Sequence, residues 1–384
     1  MTINIGLLCK GRSHTIDKYF QIFELTDKIA SDSRFKFSIC KDGTCPDEKK
    51  IVKRYQDLGV NFDVHDLRNE DINQIGLNAL IVICPYTQVK YKDIKVPIIY
   101  KEYGVAGVEA GTGFLINKPV YQYADTIITE NTFYANLIRK KYPDKDIIVG
   151  SPAFDYFYKK YTNPGDYTKE VNRNNVKVLW TPHHSMCPNP SFDRIEGGCY
   201  STFPTFKDYL VEEFLEEFPE VELHIKLHPI LKRRYNEYCK YYGFENDFDS
   251  WMRKVKSNSR IFIHKKEDYH NLFFESDYVF NDSISFIEEY LPLCRKMIVL
   301  EDNYKDKYSL FGESIIDSCY VRANDCVELS RIFKKTVSEN NFVRDKECIS
   351  FYKHNSWIYP PSGYLTFSDY LIDKIYQKYS KEPL

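Results

Sequence analysis

No stretch of this 384-residue chain approaches the roughly 20 consecutive apolar residues that a membrane span needs. Residues 1–10 lack the charged start and apolar run of a signal peptide and read instead as a first strand. The expected location is therefore the cytoplasm. Charge of one sign is missing too: 53 basic against 55 acidic side chains leave a formal charge of -2. That balance gives no long-range attraction toward nucleic acid or anionic lipid, so nucleic acid is not an expected partner and any anion must be captured locally. The 11 cysteines show no C-x-x-C pairs and no paired histidine spacing. This excludes a recognisable disulfide framework or zinc site, and reduced thiols are the simplest account. Neither a P-loop nor a glycine-rich dinucleotide fingerprint occurs. No acidic cluster suited to magnesium stands out, so neither metal nor cofactor is expected.

What is present is the material of a folded protein, with 43% hydrophobic and 28% charged residues. The length exceeds what one core usually organises, so two domains are expected. The 32 tyrosines and 26 phenylalanines are spread along the chain, which favours packing over stacking platforms. In the first half, short apolar runs at 3–9, 37–40, 79–84, 97–100, 126–129 and 147–150 read as strands, with helical patterns at 15–30 and 46–58 between them. The polar stretch 161–175, with its Pro-Gly pair, reads as a linker. A second alternating series follows. Its strands are expected at 176–180, 222–226, 261–264, 278–280 and 296–300, and its helices at 203–218, 232–242, 248–255, 286–291 and 326–337. Alternating strand and helix predicts an α/β protein of two Rossmann-like, doubly wound domains. The expected division is 1–160, 176–345 and a C-terminal helical segment 346–384 that packs back on the first domain.

Ligands of such sheets bind beyond the carboxyl ends of the strands, and three strand ends of the second series carry unusual residues. The first is Trp180-Thr181-Pro182-His183-His184-Ser185. Two adjacent imidazoles in a loop cannot both face a core, and either could bond a phosphate oxygen. One exposed and one structural histidine is the equally weighted alternative. The second is His224-Ile225-Lys226-Leu227-His228-Pro229, where alternation puts His224, Lys226 and His228 on one side of a strand. Pro229 ends the ladder and biases His228 toward extended backbone at the mouth of the sheet. The third, Asn281-Asp282-Ser283-Ile284-Ser285-Phe286-Ile287-Glu288-Glu289, turns from strand to helix through small polar residues. It offers an anion site at the helix start, although Ser285 to Glu288 also matches a capping box that needs no ligand. In the first half, Glu102-Tyr103-Gly104 follows a strand and precedes Gly107, Gly111 and Gly113. Glu102 becomes a candidate general base if burial raises its pKa, and an ion-paired surface glutamate otherwise.

Together these motifs resemble the CDP-glycerol glycerophosphotransferase-like enzymes of teichoic acid and capsule synthesis, whose fold is of the glycosyltransferase-B type. The resemblance is concentrated in residues 176–300 and is carried by VLWTPHHS at 178–185, IKLHP at 225–229 and NDSISFIEEYL at 281–291. It implies a cleft between two domains, with His228 on the donor phosphates, Ser283, Ser285 and the helix start around the diphosphate, and His183 or His184 beside them. The candidate catalytic residues are thus Glu102, His183 and His228. The candidate donor set is His184, Ser185, Lys226, Asn281, Asp282, Ser283, Ser285 and Glu289, with Tyr103 and Gly104 on the acceptor side. Where the wall teichoic acid enzymes keep a Trp-His-Gly stretch, this chain has Glu102-Tyr103-Gly104.

The implied function is transfer of a polyol phosphate from a CDP-activated donor to a saccharide, polymer or lipid-linked acceptor, with peripheral association at the inner face of the plasma membrane. Two alternatives keep the fold: a nucleotide-sugar glycosyltransferase, and a scaffold of a polysaccharide assembly complex without catalysis.

Overall fold

The computed structural model describes residues 2–10, 16–83, 91–101, 117, 119–160, 174–186, 201–264, 269–293, 295, 297–301, 308–338 and 346–380. These residues separate into two compact units. One comprises the described residues through 160 together with 355–380, the other those from 174 through 354.

The first unit contains strands β1 (Ile3–Cys9), β2 (Phe35–Lys41), β3 (Phe62–Asp66), β4 (Ala79–Val82), β5 (Ile98–Lys101), β6 (Thr126–Thr129) and β7 (Asp146–Val149). They form one sheet in the order β3-β2-β1-β4-β5-β6-β7, with every pairing parallel. Strands β4, β5 and β6 are buried throughout, as a parallel sheet covered on both faces requires. The helix Ile16–Ser31 sets Tyr19, Phe23 and Thr26 into the core at helical spacing. The C-terminal helix Phe367–Tyr379 adds Leu371, Ile372 and Ile375 to the same core, and its first turn is held by the buried Asp155 carboxylate, which accepts from the amides of Phe367 (2.6 Å) and Ser368 (2.8 Å).

The second unit contains β8 (Val176–Thr181), β9 (Val221–Ile225), β10 (Ile261–Ile263), β11 (Tyr278–Asn281), β12 (Met297–Leu300) and β13 (Val321–Ala323), in the order β10-β9-β8-β11-β12-β13 and again all parallel. This is the doubly wound order, in which the chain runs outward from β8 in one direction, returns, and continues from β11 in the other. The direction of winding therefore reverses between β8 and β11. The two strands are paired to their ends, Thr181 opposite Asn281. Beneath that edge lies an aromatic core. Trp180 stacks on Phe203 with ring centroids 5.7 Å apart, and Trp251 meets both edge-on while donating its indole N–H to Lys207 O at 2.9 Å. Each ring removes some 150 to 250 Å² from water, so this cluster fixes the strand ends that carry the polar residues.

The expected alternation of strand and helix is present in both units, and so is the two-domain α/β class. Details differ. The helix expected at 203–218 is two, Phe203–Val211 and Glu213–Glu217, because Glu212 leaves helical geometry at φ -107°, ψ -84°. Strands β3 and β13 escape the apolar-run criterion: β3 is a half-exposed edge with the sequence FDVHD, and β13 has three residues. The helix Thr132–Lys141 was not singled out either; it buries Tyr134, Ala135 and Ile138 at helical spacing and its start carries the cap it needs, Asn131 Oδ1 accepting from Tyr134 N at 2.8 Å. The expected linker lies mostly outside the described residues.

Candidate functional site

The loops leaving β9, β8 and β11 bring His228, His183 and His184, and Asp282 and Ser283 to one edge of the second sheet, spanning its switch point. The three imidazoles touch. His184 stacks on His228 with ring centroids 3.9 Å apart and an interplanar angle of 26°, His183 lies 4.3 Å from His184, and His183 and His228 are 5.8 Å apart. Residues 45 positions apart in sequence thus share one surface because β8 and β9 are neighbours in parallel register, Trp180 opposite Ile225.

Local backbone fixes the ring tautomers. His183 Nδ1 accepts from Ser185 N and His228 Nδ1 from Ile230 N, each at 3.3 Å. A neutral ring that accepts at Nδ1 carries its proton on Nε2, so both rings present an Nε2–H donor. Burial holds His184 and His228 neutral. The His184 pKa is pushed down to about 3, by desolvation first and then by the charges of His228, Arg234 and Arg233. Desolvation and Lys226 push His228 down to about 4. His184 Nδ1 is buried without a hydrogen-bond partner. Neutral, hydrogen-donating imidazoles suit an acceptor of hydrogen bonds such as a phosphoryl oxygen, and they hold no proton in excess for acid catalysis at neutral pH.

Asp282 organises this surface. Its carboxylate is fully buried, with Oδ1 accepting from His183 N (2.5 Å) and Oδ2 accepting from Thr202 N (2.6 Å) and Thr202 Oγ1 (3.0 Å). Ser201 Oγ donates to His183 O at 2.5 Å, and Ser201 N to Ser185 O at 3.0 Å. The His183 loop is therefore pinned to both the β11 turn and the start of the helix Phe203–Val211. Ser201 and Thr202 were not singled out from the sequence. The signal was faint: two small hydroxyl residues before a Pro-containing helix start. Asn281 completes the frame, accepting from Thr181 Oγ1 (2.8 Å) and Ser283 N (3.0 Å) and donating to Ser283 O (2.7 Å). Asn281 and Asp282 thus hold the loops that carry the imidazoles.

Two readings made from the sequence need correction. The helix after β11 runs Ile284–Glu289 with Ser283 as its N-cap and no side-chain cap bond, so Ser285 to Glu288 is not a capping box. The Ser283 amide is already bonded to Asn281, which removes it from the donors offered to a ligand. Second, β9 ends at Ile225, so strand alternation does not extend to His228, and His224 does not join the imidazole cluster. The ladder adds one bond, Lys226 N to Trp180 O at 2.9 Å. His224 faces the opposite neighbour instead, its Nδ1 2.9 Å from His264 Nε2 and its ring stacked on Phe262. Glu289 is buried and accepts from the Tyr269 hydroxyl, while Ser285 is half-buried. Glu102, Tyr103, Gly104 and the glycines that follow lie outside the described residues. The neighbouring Lys101 is 1% exposed and ion-paired with Glu130, which follows β6. Among the described residues no group of three or more His, Cys, Asp or Glu side chains is placed to hold a metal ion, and no helix is long and apolar enough to cross a membrane.

No protein-family model matches the chain, and no curated protein matches its sequence. Solved structures do match its fold. A S. aureus MnaA–UDP structure aligns with a TM-score of 0.58 at 14% identity, covering 100% of this chain and 99% of that one. The UDP-GlcNAc 2-epimerase from Neisseria meningitidis, bound to UDP-GlcNAc, aligns at 0.60 and 12% over 98% and 100%. A variant of the wall teichoic acid polymerase TagF aligns at 0.56 and 10% over 98% and 89%. These likenesses show the fold: two Rossmann-like α/β units of the glycosyltransferase-B type, shared with enzymes that include nucleotide-sugar epimerases and a teichoic acid polymerase.

Proposed function

We propose that the chain is a transferase that binds a nucleoside-diphosphate-linked donor on the imidazole cluster of its second unit and moves a polyol phosphate, glycerol phosphate or a similar group, to a hydroxyl acceptor. The observation that carries this reading is the convergence of His183, His184 and His228 at the carboxyl edge of β8 and β9, beside the switch point where doubly wound sheets take their ligands. The acceptor is a saccharide or a lipid-linked or growing polymer.

In the step proposed, the acceptor oxygen attacks the distal phosphorus of a CDP-polyol. The new P–O bond forms as the bond to the bridging oxygen breaks, CMP leaves with that oxygen, and the acceptor proton passes to a base for which Glu102 is the candidate. The product is a phosphodiester. Charge on the phosphoryl oxygens is met by the Nε2–H donors of His183 and His228, with Ser283, Ser285 and Lys226 at the same strand ends, so that positioning and electrostatics supply the catalysis. Neutral imidazoles suffice, because CMP leaves as a phosphate anion without needing a proton.

A second reading keeps the site and changes the bond broken. The MnaA and N. meningitidis structures carry UDP or UDP-GlcNAc, which favours a nucleotide sugar as donor, attack at the anomeric carbon and departure of a nucleoside diphosphate. Incubating the protein with CDP-glycerol, CDP-ribitol and a panel of nucleotide sugars, together with a bacterial lipid or polysaccharide acceptor fraction, separates the two. Released CMP supports polyol-phosphate transfer and released UDP or GDP the sugar reading. Absence of any nucleotide binding by calorimetry would leave the scaffold alternative standing.

A further inference from the structure

Neutral imidazoles donate hydrogen bonds but bring no charge, whereas the diphosphate of a nucleotide-linked donor carries two negative charges throughout the neutral range. Asp282, the carboxylate at the centre of the site, adds a negative charge of its own and is committed to the His183 and Thr202 amides. Lys226, which acts electrostatically on His228, brings one positive charge, and the rest must come from elsewhere. The turn that positions His228 also starts the helix Leu231–Tyr242: Ile230 N donates to His228 Nδ1 at 3.3 Å and Leu231 N to His228 O at 2.9 Å. The first turn of that helix carries Lys232, Arg233 and Arg234, has no acidic residue, and has no side-chain cap at Ile230. Cations are disfavoured at a helix start; Lys232 is accounted for by its ion pair with Asp249 at 2.6 Å, which leaves the two arginines sharing a single carboxylate, Glu237. Both arginines act electrostatically on His184, the ring stacked on His228.

Resting on the donor reading given above, we propose that Arg233 and Arg234 are further charge-bearing donor contacts of this site, gripping the diphosphate beside Lys226, and that Glu237 occupies them when no donor is bound. Glu237 sits one turn along the helix, with Oε2 2.9 Å from Arg234 Nη1 and Oε1 3.9 Å from Arg233 Nε. The pairs are exposed enough to exchange, with side-chain accessibilities of 65% for Arg233, 41% for Arg234 and 42% for Glu237. A guanidinium presents a planar fork that matches two phosphoryl oxygens better than one surface carboxylate held at the geometry seen here. Donor binding then exchanges a weak, solvent-screened ion pair for a bidentate one beside the imidazole donors.

The test is calorimetric titration of the wild type, the Arg233→Ala/Arg234→Ala double variant and Glu237→Gln with CDP-glycerol and with UDP-GlcNAc, at low and high salt and from about pH 6.5 to 8.5. The double variant should bind about 10- to 100-fold more weakly and lose most of the salt dependence, as expected for lost charge-assisted bonds. Glu237→Gln should bind a few-fold more tightly. Wild-type affinity should stay flat with pH, because arginine does not titrate there and the imidazoles are already neutral. Equal affinity and equal salt dependence in the double variant would overturn the assignment while leaving the donor site standing, as would an affinity that falls with rising pH, the mark of imidazolium. A wild type that binds neither ligand would overturn the donor reading itself. The substituted side chains are exposed, and matching far-UV spectra and melting curves check that the fold is kept.

Discussion

Acid should weaken this protein through the imidazole cluster in a way that can be calculated almost without the folded-state pKa values. In the unfolded chain His184 and His228 titrate near ~6.5. In the folded protein they titrate at about 3 and about 4, because burial penalises the imidazolium. A depressed folded pKa means that the stabilisation is fully present above the unfolded value and is lost as pH falls toward the folded ones. Going from about pH 7.5 to 5.5, an unfolded histidine takes up roughly 0.8 proton while its folded counterpart stays neutral, which costs about 1.3 kcal/mol per ring. Two rings give about 2.7 kcal/mol, and partial solvent access lowers the expectation to about 1–3 kcal/mol.

Urea unfolding of the wild type and of a His184→Leu/His228→Leu variant at the two pH values reads this directly. Leucine cannot titrate, so the wild type should lose about 1–3 kcal/mol more than the variant on acidification. The subtraction removes groups of opposite sign. Asp155 is one: burial pushes its carboxyl up to about 7 although it accepts two amides, so its ionisation disfavours the fold as pH rises and acid relieves that cost. Parallel losses in the two proteins would show that the rings are solvated and protonated in the folded state, and the neutral-donor account of the site would fall with that result.

Two further outcomes test the frame and the chemistry separately. Asp282→Asn places an amide N–H₂ against either the His183 N–H or the Thr202 N–H, and should cost about 2–4 kcal/mol in urea unfolding; a loss below about 0.5 kcal/mol would mean that these amides find other partners. His228→Ala should keep the far-UV spectrum and lower turnover on the order of 100-fold or more, the usual size for a lost oxyanion-type donor, whereas unchanged turnover would remove His228 from the mechanism.

The fold was readable because parallel sheets covered on both faces produce apolar runs that stand out, as VKVLWT in β8 and TIIT in β6 do. An edge strand can give a weaker signal, since one side faces water and pairing comes from a single neighbour, hence the missed FDVHD of β3, whereas the edge strands β7 and β10 kept apolar runs, IIV and IFI, and were legible. His183, His184 and His228 were legible for a different reason. A histidine pair after one buried strand and a His-Pro after the next must converge if the strands are neighbours, and consecutive strands usually are. His224 was misread because alternation was extended past the last paired residue, and the turn at His228 re-aims its ring.

What stayed hidden were the residues that act through folded geometry. Ser201 and Thr202 follow a stretch outside the described residues, and the distance in sequence between Thr202 and Asp282 gives no hint that they bond. Arg233 and Arg234 were not singled out from the sequence, where they are simply two charges on an expected helix. The role proposed for them rests on the end of the helix they occupy and the uncharged rings beside it, and neither is visible before the chain is folded. A site can thus show its hydrogen-bond donors in sequence as a motif while hiding its charge in a composition that nets to almost nothing. For a chain with 53 basic and 55 acidic side chains, anion recognition has to be built from local asymmetry of this kind, and the helix start after His228 is the place proposed for it.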